Sequence, residues 1–145
     1  MKILLPLLLC LAALSQNVFA EGAEPEVMVV KFYADWCGSC RVMDPIMEEA
    51  KEMANLDDTD ALFVTLDLTD ETTSKQAELL ASALDIGEYY AENAGKTGYM
   101  ILVDTATGEI EGTINKDMTA EQMVAEVTRF PVSYTHLTLP TICSV

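Results

Sequence analysis

The feature that most constrains the fold is an apolar run that leads directly into two closely spaced cysteines and an amphipathic pattern. Residues 27–33 are dense in β-branched and aromatic side chains, which predicts a central strand buried on both faces. Cys37 and Cys40 follow, and from Cys40 to Ala54 apolar residues recur at spacings of three and four. This spacing predicts an amphipathic helix that begins at the cysteines and is kinked at Pro45.

A second strand and a second helix are predicted next. Residues 61–68 form another apolar run of strand length. Asp70 is suited to cap a helix that ends before Gly87, and we expect residues 89–98 to be irregular. The apolar positions of this second helix are Ala77, Leu80, Ala81 and Leu84.

The last part of the pattern is a β-hairpin followed by a helix. Residues 99–103 and 109–114 flank a short polar segment in which Gly108 can adopt a positive φ. Thr119 and Gln122 form a capping-box pattern that predicts the start of a last helix. The element order requires a parallel strand pair with a right-handed crossover, to which the hairpin is added. We therefore expect an α/β fold with a four-stranded mixed sheet, order 2-1-3-4, and helices on both faces.

The two ends differ in composition from the middle of the chain, so we expect three parts: residues 1–20, 21–131 and 132–145. Lys2, an apolar stretch at residues 3–14 and an A-x-A-like site at residues 18–20 are typical of a cleaved signal peptide. This predicts a periplasmic or otherwise exported protein, with a retained N-terminal anchor as the alternative. Residues 132–141 resemble one reading frame of a transposase-type sequencing adaptor, so we expect residues 132–145 to be a non-native tail. Cys10, His136 and Cys143 then have no functional role.

The net charge of the chain limits the classes of molecule that it is expected to bind. The chain has 24 acidic and 8 basic residues and a formal net charge of −16. Nucleic acids and anionic membranes bind through cationic contacts, so neither is expected as a partner. The negative charge suits basic protein partners or serves solubility alone, and the sequence leaves both open.

Between residues 21 and 131, Cys37 and Cys40 are the only cysteines. A structural zinc site needs four ligands, and no second cysteine pair or histidine is available there. Haem attachment needs a histidine after the second cysteine, where Arg41 stands. A structural disulfide is the alternative, but closing so short a loop stabilises a fold little in the chain-entropy picture. Redox chemistry is the best remaining use, and we expect no metal and no cofactor.

Residues 32–41, Phe-Tyr-Ala-Asp-Trp-Cys-Gly-Ser-Cys-Arg, closely resemble the thioredoxin superfamily. Pro45, five residues after the second cysteine, is part of the same resemblance, and the element order extends it to about Phe130. The resemblance implies a thioredoxin-like fold. It also implies that Trp36 flanks the active site, for which the alternative is an ordinary core aromatic.

The position of the cysteines predicts their roles. Cys37 lies at a helix N-terminus, where free N–H groups and the helix dipole favour a thiolate, so we expect it to be the nucleophile. Cys40 lies one turn into the helix and should resolve the mixed disulfide by attacking the sulfur of Cys37. Gly38 and Ser39 shape the turn between them.

Three positions depart from the family pattern. Ser39 replaces the proline that is most usual in thioredoxin. Thr97 and Gly98 stand where the family normally has a cis-proline that presents its backbone to the substrate, and we expect them to take that role. Lys31 stands where thioredoxin has a buried acid. Its ammonium is expected either to stabilise nearby thiolates from within the protein or to reach water while its methylene groups pack.

The sequence thus predicts an exported thiol–disulfide oxidoreductase that reduces or relays the disulfides of other proteins. Its expected partners are protein thiols and disulfides and an unidentified redox recycling partner, and we expect a monomer without stable membrane association. A redox-inert thioredoxin-like binding module is the alternative from another functional class. A copper-delivery protein is a weaker alternative, because residues 21–131 contain no histidine.

Overall fold

The computed structural model describes residues 25–129. The predicted signal peptide, the predicted tail, Phe130 and the domain boundaries at residues 21 and 131 lie outside the described residues, and these assignments stay predictions.

The described residues form four strands, four α-helices and one short 3-10 turn. The first strand leads into the longest helix, as the apolar run and the amphipathic pattern predicted. In chain order the elements are β1 Val27–Tyr33, α1 Gly38–Ala54, the 3-10 turn Leu56–Asp58, β2 Ala61–Asp67, α2 Glu71–Ala83, α3 Gly87–Glu92, β3 Tyr99–Asp104, β4 Ile110–Asn115 and α4 Ala120–Thr128.

The strands form one mixed sheet in the order β2-β1-β3-β4. Strands β1 and β2 are parallel, whereas β1–β3 and β3–β4 are antiparallel. This confirms the predicted order. Because β1 and β2 are parallel neighbours, their carboxyl ends meet at one edge of the sheet, next to the loop that carries the cysteines.

Helices cover both faces of the sheet, as expected. Met43 and Met47 of α1 and Met123 and Val127 of α4 pack into the core cluster on one face. Residues of α2 and α3 pack on the other, together with the residues of β1 and β3 that point to that side. That second cluster contains Met28, Val30, Phe32, Ala77, Ala81, Ile86, Tyr90, Ile101 and Val103.

The predicted capping residues at the starts of α2 and α4 are confirmed. The Asp70 side chain accepts hydrogen bonds from the backbone N–H groups of Thr72 and Thr73, in a capping box at the start of α2. Thr119 and Gln122 form the predicted capping box of α4.

Two predictions about the segment that follows β2 are wrong. Residues 89–98 are not irregular throughout, because α3 spans Gly87–Glu92. Leu80, assigned to the apolar face of α2, is 39% exposed, while Ala77 and Ala81 point into the core. The inward face of α2 is therefore built mainly from small side chains, which lets the helix lie close to the sheet.

Candidate active site

Cys37 ends the loop after β1 and caps helix α1. Its backbone is extended, with φ −75° and ψ 106°, and its Sγ accepts a hydrogen bond from the backbone N–H of Cys40 at 3.1 Å. The two cysteines are joined by a disulfide with a Cα–Cα distance of 5.3 Å. A sulfur atom thus takes the capping position that an oxygen of Ser, Thr, Asp or Asn usually holds.

The two sulfur-bearing residues differ in accessibility. Cys37 is 5% exposed and Cys40 is fully buried, with its Sγ 3.7 Å from the carbonyl oxygen of Phe32. Once the disulfide is reduced, a thiolate on Cys37 would lie at the positive end of α1 and accept the Cys40 N–H. The arrangement therefore favours charge on the more accessible sulfur.

Gly98 packs directly against the cysteine turn from the loop before β3. Its φ is +87°, and its N–H donates to the carbonyl oxygen of Phe32 at 2.9 Å. A Cβ at this position would lie 2.6 Å from the Cβ of Ser39 and 3.2 Å from the Sγ of Cys37. The described residues contain no cis peptide bond. Bare backbone in a left-handed conformation therefore stands where the family has its cis-proline.

Trp36 precedes Cys37 and is 57% exposed. Its indole Nε1 donates to the carbonyl oxygen of Thr69 at 3.2 Å. The alternative that Trp36 is an ordinary core aromatic is wrong, since more than half of the residue's surface is exposed. Next to it, Gly38 has no atom within 4 Å of where a Cβ would stand, so that side of the site is open.

The fold and the site can be compared with known proteins. Residues 11–82 match the family model of thioredoxin. This is a thioredoxin-superfamily domain. The match begins before β1, within the residues assigned above to the signal peptide.

Thioredoxin F from the chloroplast of Oryza sativa subsp. japonica is 37% identical over 59 residues, which cover 41% of this chain and 29% of that protein. A thioredoxin from Alicyclobacillus acidocaldarius is 40% identical over 55 residues, 38% of this chain and 50% of that protein. The matched parts thus span half or less of these relatives.

A thiol:disulfide interchange protein of the thioredoxin family from Chlorobium tepidum has a similar structure. Its TM-score is 0.50 at 16% identity, over 74% of this chain and 81% of that one. At this identity the likeness concerns the fold alone. It agrees with the sheet order of the thioredoxin-like fold.

The sequence left two environments open for Lys31, with its ammonium either beside the thiolates within the protein or in water. The structure shows a third. Its Nζ lies 2.5 Å from Oδ1 of Asp44 on α1 and 4.6 Å from the ring centre of Tyr33, and its side chain is 19% exposed. The ammonium therefore neither extends freely into water nor lies uncompensated beneath the cysteines. The partner was not predicted, because Asp44 is brought to Lys31 only by the packing of α1 on the sheet.

A set of hydrogen bonds around the loop before Cys37 was also missed. Asp35 takes part in three of them. Its backbone N–H donates to Oγ1 of Thr69, its carbonyl oxygen accepts from Arg41, and its carboxylate accepts from the hydroxyl of Tyr33. The signal available in the sequence was positional: Thr69 follows β2, and the carboxyl ends of adjacent parallel strands lie side by side.

Proposed function

We propose that this protein is an exported thiol–disulfide oxidoreductase that reduces or relays disulfides of other proteins through Cys37 and Cys40. The observation that carries the proposal is the geometry of the pair. Cys37 caps a helix and is bonded to a fully buried Cys40 one turn further on. The likeness to thioredoxins in the matched region supports the same chemistry.

The reaction follows from this arrangement. In the reduced protein the Cys37 thiolate attacks one sulfur of a substrate disulfide, forming a mixed disulfide and releasing the other substrate sulfur as a thiolate that takes a proton. Cys40, having lost its proton, then attacks the Sγ of Cys37 and expels the second substrate thiolate. The substrate gains two electrons and two protons, and the protein is left with the Cys37–Cys40 bond. A recycling partner must return the two electrons.

We assign substrate docking to the surface beside Cys37. Gly98, preceded by Thr97, packs against the cysteine turn formed with Gly38 and Ser39, and the exposed Trp36 directly precedes Cys37. The support is that Gly98 approaches the Sγ of Cys37 with no side chain between them. An extended segment of a substrate could therefore lie along this backbone.

The decisive experiment compares Cys37→Ser and Cys40→Ser in the reduction of insulin disulfides by dithiothreitol. Both variants should lose catalysis, and Cys40→Ser should accumulate mixed disulfides with protein substrates that migrate as larger species on non-reducing gels. Trapping by Cys37→Ser alone would reverse the assigned roles. If the wild-type protein neither reduces insulin nor forms mixed disulfides, the protein is a redox-inert binding module instead.

The direction of electron flow is tested by the reduction potential of the pair. A value near about −270 mV, as in thioredoxin, would support a reductant, and one near about −120 mV would point to an oxidant. Equilibration with glutathione or dithiothreitol buffers of known potential gives this value.

Export is proposed from the composition of residues 1–20. Within residues 25–129 there is no helix long and apolar enough to cross a membrane. Mass spectrometry of the exported protein should find Glu21 at its N-terminus. An N-terminus further upstream would mean that residues matched by the thioredoxin model remain in the mature protein. Removing residues 132–145 should leave the melting temperature unchanged, whereas a large decrease would mean that this segment packs on the domain.

A further inference from the structure

Thr69, in the loop between β2 and α2, contacts both residues that precede the nucleophile. Its Oγ1 accepts a hydrogen bond from the backbone N–H of Asp35 at 3.0 Å. Its carbonyl oxygen accepts one from the indole N–H of Trp36 at 3.2 Å. One residue thus holds the loop backbone and the tryptophan ring together.

Thr69 is itself fixed in place. Its backbone N–H donates to Oδ1 of Asp67 at 2.9 Å, and its hydroxyl donates to the same oxygen at 2.5 Å. A hydroxyl has one hydrogen to donate and lone pairs to accept with, and both capacities are used here. The orientation of the Thr69 side chain is therefore determined from both sides.

The loop that Thr69 holds has two further attachments. Tyr33, at the end of β1, donates its hydroxyl to Asp35 Oδ1 at 2.8 Å. Arg41, in the first turn of α1, donates to the carbonyl oxygen of Asp35 at 2.7 Å. Thr69 is the only one of the three that also binds Trp36, through its backbone carbonyl. Loss of the Thr69 hydroxyl should therefore act on the ring indirectly, by removing the bonds to Asp35 and Asp67 that hold this carbonyl in place.

We propose that Thr69 is a positioning residue that fixes the exposed indole of Trp36 beside Cys37 as a docking surface for protein substrates. Trp36 is 57% exposed yet has its one polar atom bonded, so the ring has a defined orientation without being buried. A side chain ordered in advance does not lose conformational freedom when a partner binds, which strengthens docking. A small disulfide reaches the sulfur of Cys37 without using this surface.

The test uses the full-length protein with Thr69→Val, which keeps the side-chain shape and removes the hydroxyl, and Thr69→Ser, which keeps the hydroxyl. Trp36 is the only tryptophan in the chain, so its fluorescence reports on this ring alone. In Thr69→Val, the fluorescence anisotropy of the reduced protein should fall and quenching by acrylamide should increase. Thr69→Ser should behave like the wild type. Thr59→Val is the matched control, since the Thr59 hydroxyl donates to the Leu56 carbonyl in the 3-10 turn.

The functional readout rests on the proposed oxidoreductase activity and compares two substrates. The kcat/KM for insulin should fall in Thr69→Val by up to about fivefold, the factor equivalent to one hydrogen bond of ordinary net strength. The rate with a small aromatic disulfide such as 5,5′-dithiobis(2-nitrobenzoic acid) should fall less than the rate with insulin. An equal loss with both substrates would mean that Thr69 acts on the cysteines or on folding, and no loss with either would remove the positioning role.

Failure of this inference and failure of the proposed function give different results. If the wild type lacks disulfide exchange altogether, the proposed function is wrong, while the fluorescence measurement still shows whether Thr69 orders Trp36. If Thr69→Val does not fold, Thr69→Ala gives the same comparison without a β-branched side chain. Unchanged anisotropy and quenching in the folded variant would contradict the proposal whatever the activity.

Discussion

At the scale of single residues, Gly98 and Lys31 decide what surrounds the cysteine pair. Gly98 brings bare backbone to the Sγ of Cys37, and Lys31 forms an ion pair with Asp44. Both positions depart from the family pattern. In both cases the departure is visible in the sequence, and the structure shows which residues each side chain or backbone contacts.

Gly98→Ala should lower the free energy of unfolding of the oxidised protein. The loss should exceed the cost of placing an alanine at a positive φ. The added Cβ would stand 2.6 Å from the Cβ of Ser39, so the cysteine turn has to move, and overpacking of this kind costs about 1–3 kcal/mol. Gly108→Ala is the control, because Gly108 also has a positive φ, +72°, but no atom within 4 Å of the new Cβ. Denaturant unfolding gives the free energy of unfolding of both variants. Equal losses of this free energy in Gly98→Ala and Gly108→Ala would show that the contact with Ser39 adds no destabilisation.

Replacing both partners, in the double variant Lys31→Met/Asp44→Asn, should leave the pH midpoint of thiolate formation at Cys37 unchanged, as followed by absorbance at 240 nm in the reduced protein. The physical reason is that the ammonium and the Asp44 carboxylate, 2.5 Å apart, cancel in net charge, so removing both changes the field at the cysteines little. Lys31→Asp should instead lower stability, since two carboxylates would then face each other. A clear shift of the thiolate midpoint in the double variant would show that the ion pair does tune the site.

At the scale of elements, α3 shows where local signals are insufficient. It has six residues and no side-chain hydrogen bond at its N-cap. A helix this short is unstable in isolation, so its stability comes from tertiary packing. Here Tyr89 and Tyr90 place their rings 6.0 and 6.4 Å from that of Phe32, and Tyr99 stacks on the same ring at 4.7 Å. The sequence pattern of residues 89–98 contained no period that could predict this.

The aromatic cluster predicts how stability changes at high pH. Burial raises the pKa of the Tyr99 hydroxyl well above its ordinary value of 10.0, and neighbouring Tyr89 adds to the shift. The folded state thus favours neutral Tyr99. This contribution is fully present below pH 10 and is lost as the pH rises from there towards the folded-state pKa.

The free energy of unfolding of Tyr99→Phe, measured in urea, should therefore fall less steeply with rising pH above about 10 than that of the wild type. Tyr33→Phe is the comparison. Its hydroxyl pKa is also raised, first by the hydrogen bond to Asp35, but the group is exposed and solvent screens it. Identical pH profiles for Tyr99→Phe and the wild type would mean that the Tyr99 hydroxyl ionises as readily in the folded state as in the unfolded state.

At the scale of the whole molecule, charge should influence which substrates arrive fastest. The net charge of −16 sets up a field that attracts basic and repels acidic partners. Two disulfide-linked peptides can be compared that differ only in having lysine or glutamate beside the cysteine. The peptide with lysine should be reduced faster than the one with glutamate. Their difference in kcat/KM should shrink between about 0.01 M and about 1 M salt, as the Debye length falls from about 30 Å to about 3 Å. Equal rates at low salt would leave the acidic surface with a role in solubility alone.

By itself, the sequence determined the strands, three of the four helices, the sheet order and the positions of Cys37 and Cys40. The strands and helices follow from hydrophobic period and capping residues, which act between near neighbours in the chain. The sheet order follows from the rules on connections between consecutive elements. Only the tertiary structure decided that Lys31 pairs with Asp44, that Gly98 packs against Ser39, and that Thr69 holds Asp35 and Trp36. Each of these contacts joins side chains or backbone from different elements, and their distances depend on how helices and loops pack on the sheet, which no local pattern encodes.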